Sequence, residues 1–219
     1  MEIPILSDIN VSFLKKLGAN KPLTRQFYLS GGTALAAFYL NHRYSDDLDF
    51  FSENEIDPIP LNIFFKEIKN EIGFTKIDYR LHQNRNLYYF HFNDKVLKTE
   101  FTYFPFPRIE KGKREYGVEL DSILDIAVNK LFTIYQRSVA RDYIDLYYLC
   151  KEKGYLINDL IALAKAKFDW HIDPLQLGSQ FTKAYDVIDY PIMSHETDHK
   201  QWKNFFIEEA IKFKKDIFS

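Results

Sequence analysis

Ser30-Gly31-Gly32-Thr33-Ala34-Leu35, followed by Arg43-Tyr44-Ser45-Asp46-Asp47-Leu48-Asp49-Phe50-Phe51, is the stretch on which the fold turns. A Gly-Gly turn opens a short apolar helix, and that helix runs into a strand at about 47–52. Strand side chains alternate faces, so Asp47 and Asp49 point one way and Leu48 the other. The two carboxylates are expected about 7 Å apart, close enough for one divalent cation to bridge. Leu48, Phe50 and Phe51 are apolar, so the strand reads as central in its sheet. Carboxylates on a buried strand are costly unless paired or bound to metal.

Working outward, Phe27-Tyr28-Leu29 reads as a buried strand ahead of the glycines. Ile9, Val11, Phe13, Leu14 and Leu17 have helical spacing that ends at Gly18. Downstream, Pro58 and Pro60 precede a helix over Leu61–Ile72 that stops at Gly73. Three strand-like runs follow, at 74–82, 86–92 and 96–104. In the last, Val96, Lys98, Glu100 and Thr102 face one way, and Leu97, Thr99, Phe101 and Tyr103 the other. Residues 108–118 read as a polar hairpin or loop with Lys111-Gly112-Lys113-Arg114 at its tip, ordinarily a solvated turn and alternatively a place where an RNA backbone could touch. From Asp121, an expected N-cap, the pattern turns helical: about 121–136, 139–153, 158–168, a helix starting at Pro174, and 199–215. The expected fold is α+β, a mixed sheet flanked by helices and followed by a helical C-terminal region. The division expected is 1–118 and 119–219, the second part completing the active-site cleft.

The 219 residues are 46% hydrophobic and 27% charged, the balance of a globular chain with ample core. Net charge is −2, so any nucleic-acid contact needs a local patch. The 15 Tyr and 20 Phe suit a core or base stacking equally. The lone Cys150 can form no internal disulfide, which suits a reducing cytoplasm. The acidic N-terminus does not read as a signal peptide, and no apolar run reaches membrane-spanning length. His42, His82, His91, His171, His195 and His199 are scattered and suggest no ligand cluster.

The chemistry-bearing candidates have alternatives. Gly31-Gly32 is a strand-to-helix turn or a phosphate cradle at the start of a helix. Ser45 caps a turn or touches phosphate. Glu100, sharing a strand face with Lys98, is a surface strand acid, a third metal ligand or a general base. Lys130 sits among Ile126, Ala127, Leu131 and Ile134, where it snorkels to solvent or binds phosphate. Asp142 and Asp145 share a helix face, as an ion-pair network or as part of a site.

Together these runs resemble the AbiEii/AbiGii toxin family of nucleotidyltransferases. Leu29-Ser30-Gly31-Gly32-Thr33-Ala34-Leu35, His42-Arg43-Tyr44-Ser45 and Asp47-Leu48-Asp49-Phe50-Phe51 carry the first part. Asn129-Lys130-Leu131, Arg137, Arg141-Asp142 and Asp145-Leu146-Tyr147 carry the second. The resemblance covers about residues 28–149 and implies a DNA-polymerase-β-like nucleotidyltransferase fold. It implies Mg²⁺ held by Asp47 and Asp49, with Glu100 as the third carboxylate. Phosphate and nucleotide contacts fall on Gly31, Gly32, Thr33, Ser45, Arg137 and Asp142. Lys130 is the implied essential basic residue and Asp145, with Asp142, the downstream acid. Family members act in toxin–antitoxin and phage-defence systems, and the MenT-type enzymes add nucleotides to the 3′ end of tRNA. The expected function is therefore transfer of NMP from an NTP to RNA in the cytoplasm, with a cognate antitoxin as partner. Two alternatives are a non-catalytic nucleotide- or protein-binding module, and a nucleotidyltransferase acting on a small molecule or a protein.

Overall fold

The structure, a computed structural model, describes residues 4–217, with side chains through Phe213. Met1-Glu2-Ile3, the start of the acidic N-terminal stretch, lies outside the described residues. Two compact units divide the chain, 1–123 and 124–219.

The first unit is built on α1 (Asp8–Ala19), α2 (Lys21–Gln26), β1 (Tyr28–Ser30), α3 (Gly31–Leu35), β2 (Leu48–Ser52) and α4 (Pro58–Ile72). Then come β3 (Lys76–His82), β4 (Arg85–His91), β5 (Val96–Tyr103), β6 (Lys111–Glu115) and β7 (Val118–Asp121). The strands form one mixed sheet in the order β3-β4-β5-β2-β1-β7-β6. The β1–β7 and β2–β5 pairs are parallel and the others antiparallel. The α+β class is the one the sequence pattern leads to.

Local chemistry sets the helix ends. Ser7 caps α1 by accepting from the Asn10 amide at 3.3 Å, and Asp57 caps α4 by accepting from Ile59 at 2.9 Å. Gly73, with φ 86°, ends α4 in the left-handed region. α3 continues as a π-helical turn over Ala36–Leu40 and stops at Asn41, φ 52°.

Alternation along β5 separates two chemistries. Leu97, Thr99 and Phe101 face the core, where the Phe101 ring stacks on Phe50 with centroids 4.8 Å apart. Phe13 of α1 and Phe65 of α4 close over them, their centroids 5.3 and 4.9 Å from that of Phe90. Each fully buried ring contributes roughly 1.5–3 kcal/mol by leaving water. Lys98, Glu100 and Thr102 point to the opposite face. That face carries the site.

Three expectations are corrected. Lys111–Arg114 is not a loop tip but part of edge strand β6, and the turn falls at Tyr116-Gly117, both with positive φ. Asp121 is not a helix cap. It ends β7 and accepts from the Ser30 hydroxyl at 2.6 Å. The strand expected from residue 47 starts at Leu48, which leaves Asp47 on the approach to β2.

The second unit is helical: α5 (Ile123–Gln136, whose first residue closes the first unit), α6 (Ala140–Lys153), α7 (Ile157–Phe168), α8 (Pro174–Thr182) and α9 (His199–Ile217). Its core is aromatic. Phe206 packs edge-on against Tyr143 at 5.1 Å and Phe181 at 5.0 Å, with Trp202 fully buried beside them. The Tyr143 hydroxyl donates to the Gln180 carbonyl at 2.6 Å, so the buried phenol is satisfied. Among the described residues no helix is long and apolar enough to cross a membrane.

Candidate active site

Register brings the first unit's acids together. The parallel β2–β5 pairing sets Asp49 beside Glu100, and the β1–β2 pairing sets Ser30 beside Asp49. Lys98, two residues before Glu100, reaches Asp47, two residues before Asp49: its Nζ donates to Asp47 Oδ2 at 2.6 Å. The Asp47 side chain is 46% exposed. Glu100 is held differently. Arg85 of β4 grips it with two donors, Nε at 2.5 Å and Nη2 at 2.6 Å, and the Thr102 hydroxyl adds a third at 2.6 Å. The Glu100 side chain is 7% exposed. Burial works to raise its carboxyl, but the Arg85 and Thr102 hydrogen bonds outweigh burial and hold it below the ordinary value. For Lys98, burial works downward while the Asp47 hydrogen bond and the charges of Asp47, Asp49 and Glu100 push its ammonium upward.

The glycine turn lies against these acids. Gly31 has φ +73°, and a Cβ there would sit 2.6 Å from Asp49 Oδ2. At Gly32 a Cβ would collide with the guanidinium of Arg43. The missing side chains thus let the backbone approach a carboxylate on one side and a cation on the other. Arg43 is buried and donates from Nη1 to the Tyr44 carbonyl at 3.1 Å. Sequence reasoning gave Arg43 no role; its only signal was its place between the glycines and the acids. Thr33 is buried, with its hydroxyl 2.7 Å from that of Ser45, and it donates to the Asp47 carbonyl. Asn10 of α1 donates to the Asp46 carbonyl at 2.9 Å. The segment that presents Asp47 is therefore tied at two carbonyls.

The second unit has its own polar cluster. Lys130 of α5 donates to Asp142 Oδ1 at 2.7 Å and lies 2.6 Å from Asp145 Oδ2, both on α6. Arg137 reaches Asp142 Oδ2 with Nε at 3.1 Å and Nη2 at 3.0 Å. Asp145 is fully buried and Asp142 nearly so. For Asp142, burial works upward, and the positive charges of Lys130 and Arg137 overcome it to hold the carboxyl low. Two cations face two anions, so the group is balanced. A second buried pair, Lys167 to Asp125 at 2.6 Å, joins α7 to α5 and was not anticipated.

The sequence profile of the nucleotidyl transferase AbiEii toxin family, of type IV toxin–antitoxin systems, matches residues 12–212. The chain belongs to this family. An uncharacterised protein of Aquifex aeolicus is 31% identical over 148 residues, 67% of this chain and 68% of that protein. The crystal structure of JHP933 from Helicobacter pylori superposes with a TM-score of 0.61 at 24% identity, covering 96% of this chain and 94% of that one. That likeness shows a shared fold. The AbiEii-family chain is thus a nucleotidyltransferase, with an NTP as substrate and an antitoxin as partner.

Nucleotidyltransferases generally use a divalent metal, and the toxin's sheet face fits one. Among the described residues no three His, Cys, Asp or Glu side chains gather into a cage of their own. Mg²⁺ does not require such a cage: it is commonly held by one or two carboxylates together with substrate phosphates. Asp47 and Asp49 would serve as such a pair, and the Gly31 backbone lies against the Asp49 carboxylate more closely than a Cβ would allow. Glu100 adjoins Asp49 but has both oxygens engaged by Arg85 and Thr102. As folded it is an anchored acid and not an open third ligand. Gly31, Gly32, Thr33, Ser45, Asp47, Asp49 and Glu100 thus form one locality of the first unit. Lys130, Arg137, Asp142 and Asp145 form another, within the second.

Proposed function

We propose that the toxin transfers NMP from an NTP to the 3′ end of an RNA acceptor, tRNA foremost, with Mg²⁺ held by Asp47 and Asp49. The observation that carries this reading is the contact between the glycine turn and the acids. The backbone approaches Asp49 so closely that a Cβ would collide with its carboxylate, which sets the turn beside the acid that would share a cation with the triphosphate.

When bound, the cation offsets the negative charge of phosphates and carboxylates and polarises the phosphoryl oxygens. The chain's own residues supply positioning. Asp47 and Asp49 offer oxygens on one side of the sheet. Gly31 and Gly32 let the backbone of the turn lie against the Asp49 carboxylate and the Arg43 guanidinium. Thr33 and Asn10 fix the segment that carries Ser45 and Asp47. The resemblance gives the Ser45 hydroxyl, at the Thr33 end of this segment, to a phosphate, to which it would donate by turning its one proton away from Thr33. Glu100 keeps Arg85 in place, so a fixed positive charge stands two strands from Asp49. Positioning and charge neutralisation supply most of the catalysis in this class of reaction.

Lys130, Asp145, Asp142 and Arg137 enter the proposal through the family's downstream motif, Lys130 as the essential basic residue. Their mutual pairing in the second unit supports a fixed orientation for the Lys130 ammonium. The choice of RNA rests on resemblance to the enzymes that extend tRNA, and the site of action is the cytoplasm, where tRNA and NTPs meet.

The test incubates purified protein with each radiolabelled NTP, Mg²⁺ and total tRNA. Label on tRNA that a 3′-phosphorylated acceptor cannot receive supports the reading. Label on protein or small molecules instead, with tRNA untouched, replaces the acceptor. Nucleotide binding without product under every acceptor overturns the proposal of transfer to RNA.

A further inference from the structure

Two ion pairs stand side by side on the site face of the sheet, and they are built differently. Arg85 holds Glu100 through two donors with a third from Thr102, and the acid is almost wholly buried. Lys98 holds Asp47 through a single contact with both side chains part-exposed, at 30% and 46%. Although Arg85 itself is 43% exposed, a bidentate pair on a buried acid is hard to open, because separation strands the Glu100 charge in a poor solvent. A single-contact, part-exposed ammonium–carboxylate pair exchanges readily and is worth little. Lys98 is also a compact point charge on a flexible stem. It contacts one of the two carboxylates assigned above to the cation, and the charges of Asp49 and Glu100 act on it as well.

We propose that Lys98 stands in for the metal at Asp47 in the empty enzyme and moves to the nucleotide's phosphates when a divalent cation takes its place. The inference rests on the metal reading above and adds a residue that neither the motif nor the family assignment includes. Its physical basis is charge balance. Asp47, Asp49 and Glu100 bring three negative charges together, and the cations placed about them are Lys98 on Asp47, Arg85 on Glu100 and Arg43 against the glycine turn that packs on Asp49. Without metal, Lys98 limits repulsion between the Asp pair. With metal bound, the ammonium is displaced from Asp47 by a like charge and is next to an arriving polyanion. The same residue then competes with free cation and assists nucleotide. Loading of metal alone is opposed, and loading of metal with nucleotide is favoured.

Two binding measurements test this, neither of which reads transfer. Mn²⁺, a paramagnetic surrogate for Mg²⁺, is titrated into the full-length protein without nucleotide and followed by electron paramagnetic resonance. Lys98→Met keeps the aliphatic stem and removes the charge. It is expected to bind Mn²⁺ about fivefold more tightly than the parent, the scale of a half-exposed ion pair. A non-hydrolysable NTP analogue, titrated with Mn²⁺ present, is expected to bind Lys98→Met severalfold more weakly, and Lys98→Arg is expected to recover most of that loss. Circular dichroism confirms that each variant is folded. Mn²⁺ affinity unchanged or weaker in Lys98→Met overturns the proposal while leaving the metal reading in place. Equal Mn²⁺ affinity in the parent and in Asp47→Asn removes Asp47 from the metal site and takes both down together. Tighter Mn²⁺ binding with unchanged analogue affinity overturns the second half, the move to phosphate.

Discussion

The two polar clusters of this chain obey opposite rules. The sheet face of the first unit carries a half-exposed acid, Asp47, whose partner Lys98 is about a third exposed. The helical unit buries Asp142 and Asp145 and balances them with Lys130 and Arg137. Both contain residues that match one family's motifs, yet their energetics differ. An exposed pair contributes at most about 1 kcal/mol, whereas breaking a buried pair costs about 3–5 kcal/mol because one charge is left stranded. Asp47 of the first cluster can therefore be lost with the fold intact, whereas Glu100, gripped by Arg85 and Thr102, follows the rule of the second. A motif residue in the second cannot be lost without cost to the helices that carry it.

The largest expected effect separates the clusters by function. Asp49→Asn is expected to lower nucleotide transfer by about a thousandfold, on the scale of losing a main electrostatic contact in a water-excluded site. Urea unfolding should move by less than about 1 kcal/mol, since the amide is nearly isosteric and one of three neighbouring negative charges is removed. Transfer retained within tenfold would remove Asp49 from the chemistry.

Next in size is the helical cluster. Lys130→Met is expected to destabilise the protein by about 3 kcal/mol, because Asp145 is left fully buried with its ammonium partner gone. Thermal unfolding of the full chain checks this. A Tm equal to the parent's would mean that the network does not support the fold. The outcome also governs how activity data are read: loss of transfer in this variant is evidence of catalysis only at temperatures where it remains folded.

Much of this architecture was legible in the residues because the signals were local. Alternation in 96–104 separated Lys98 and Glu100 from Leu97 and Phe101, and the apolar spacing of 123–136 marked α5. What was missed depends on partners far along the chain. α2 has six residues, too few for a periodic signal, and rests on the Asn20 cap and its second residue, Pro22. β6, Lys-Gly-Lys-Arg-Glu, lacks apolar alternation because it is a sheet edge, so it resembles a loop. Asp121 looked like a cap because a helix follows it. Its real partner, Ser30, is brought near by the parallel β1–β7 pairing. The same holds for the site. That Lys98 meets Asp47 and Arg85 meets Glu100 follows from β5 pairing with both β2 and β4, which no short-range pattern encodes.

A smaller effect probes the glycine turn. Gly31→Ala forces an L-residue to φ +73° and sets a methyl against Asp49. The backbone term alone is about 1–2 kcal/mol, and the Asp49 carboxylate must turn away. Transfer is expected to fall further than stability, because the displaced group is the one the chemistry needs. Parallel measurement of the transfer rate and the urea midpoint checks the split. Equal losses would make Gly31 only a turn residue.

The smallest effect sharpens the comparison from the other side. Arg137 is the exposed member of the buried network, 52% accessible, yet it lies 3.0 Å from an acid that is almost wholly buried. Arg137→Gln should cost less than about 1 kcal/mol at neutral pH, since solvent screens an exposed guanidinium. The pH dependence carries the information. Burial raises the Asp142 carboxyl, but the Lys130 and Arg137 charges prevail and hold it below its unfolded value. A carboxyl depressed in the folded state contributes stability that is present above its unfolded pKa of about 3.9. That contribution is lost as pH falls through the lower folded value. Removing Arg137 moves the folded value back up, so the contribution shrinks and begins to fail at a higher pH. The gap between parent and variant should therefore be widest at neutral pH and close once Asp142 is protonated in both. Urea unfolding from pH 7 down to the acid limit measures that gap. A gap that persists at low pH would mean that Arg137 acts by packing its stem, and that Lys130 is the cation that holds Asp142.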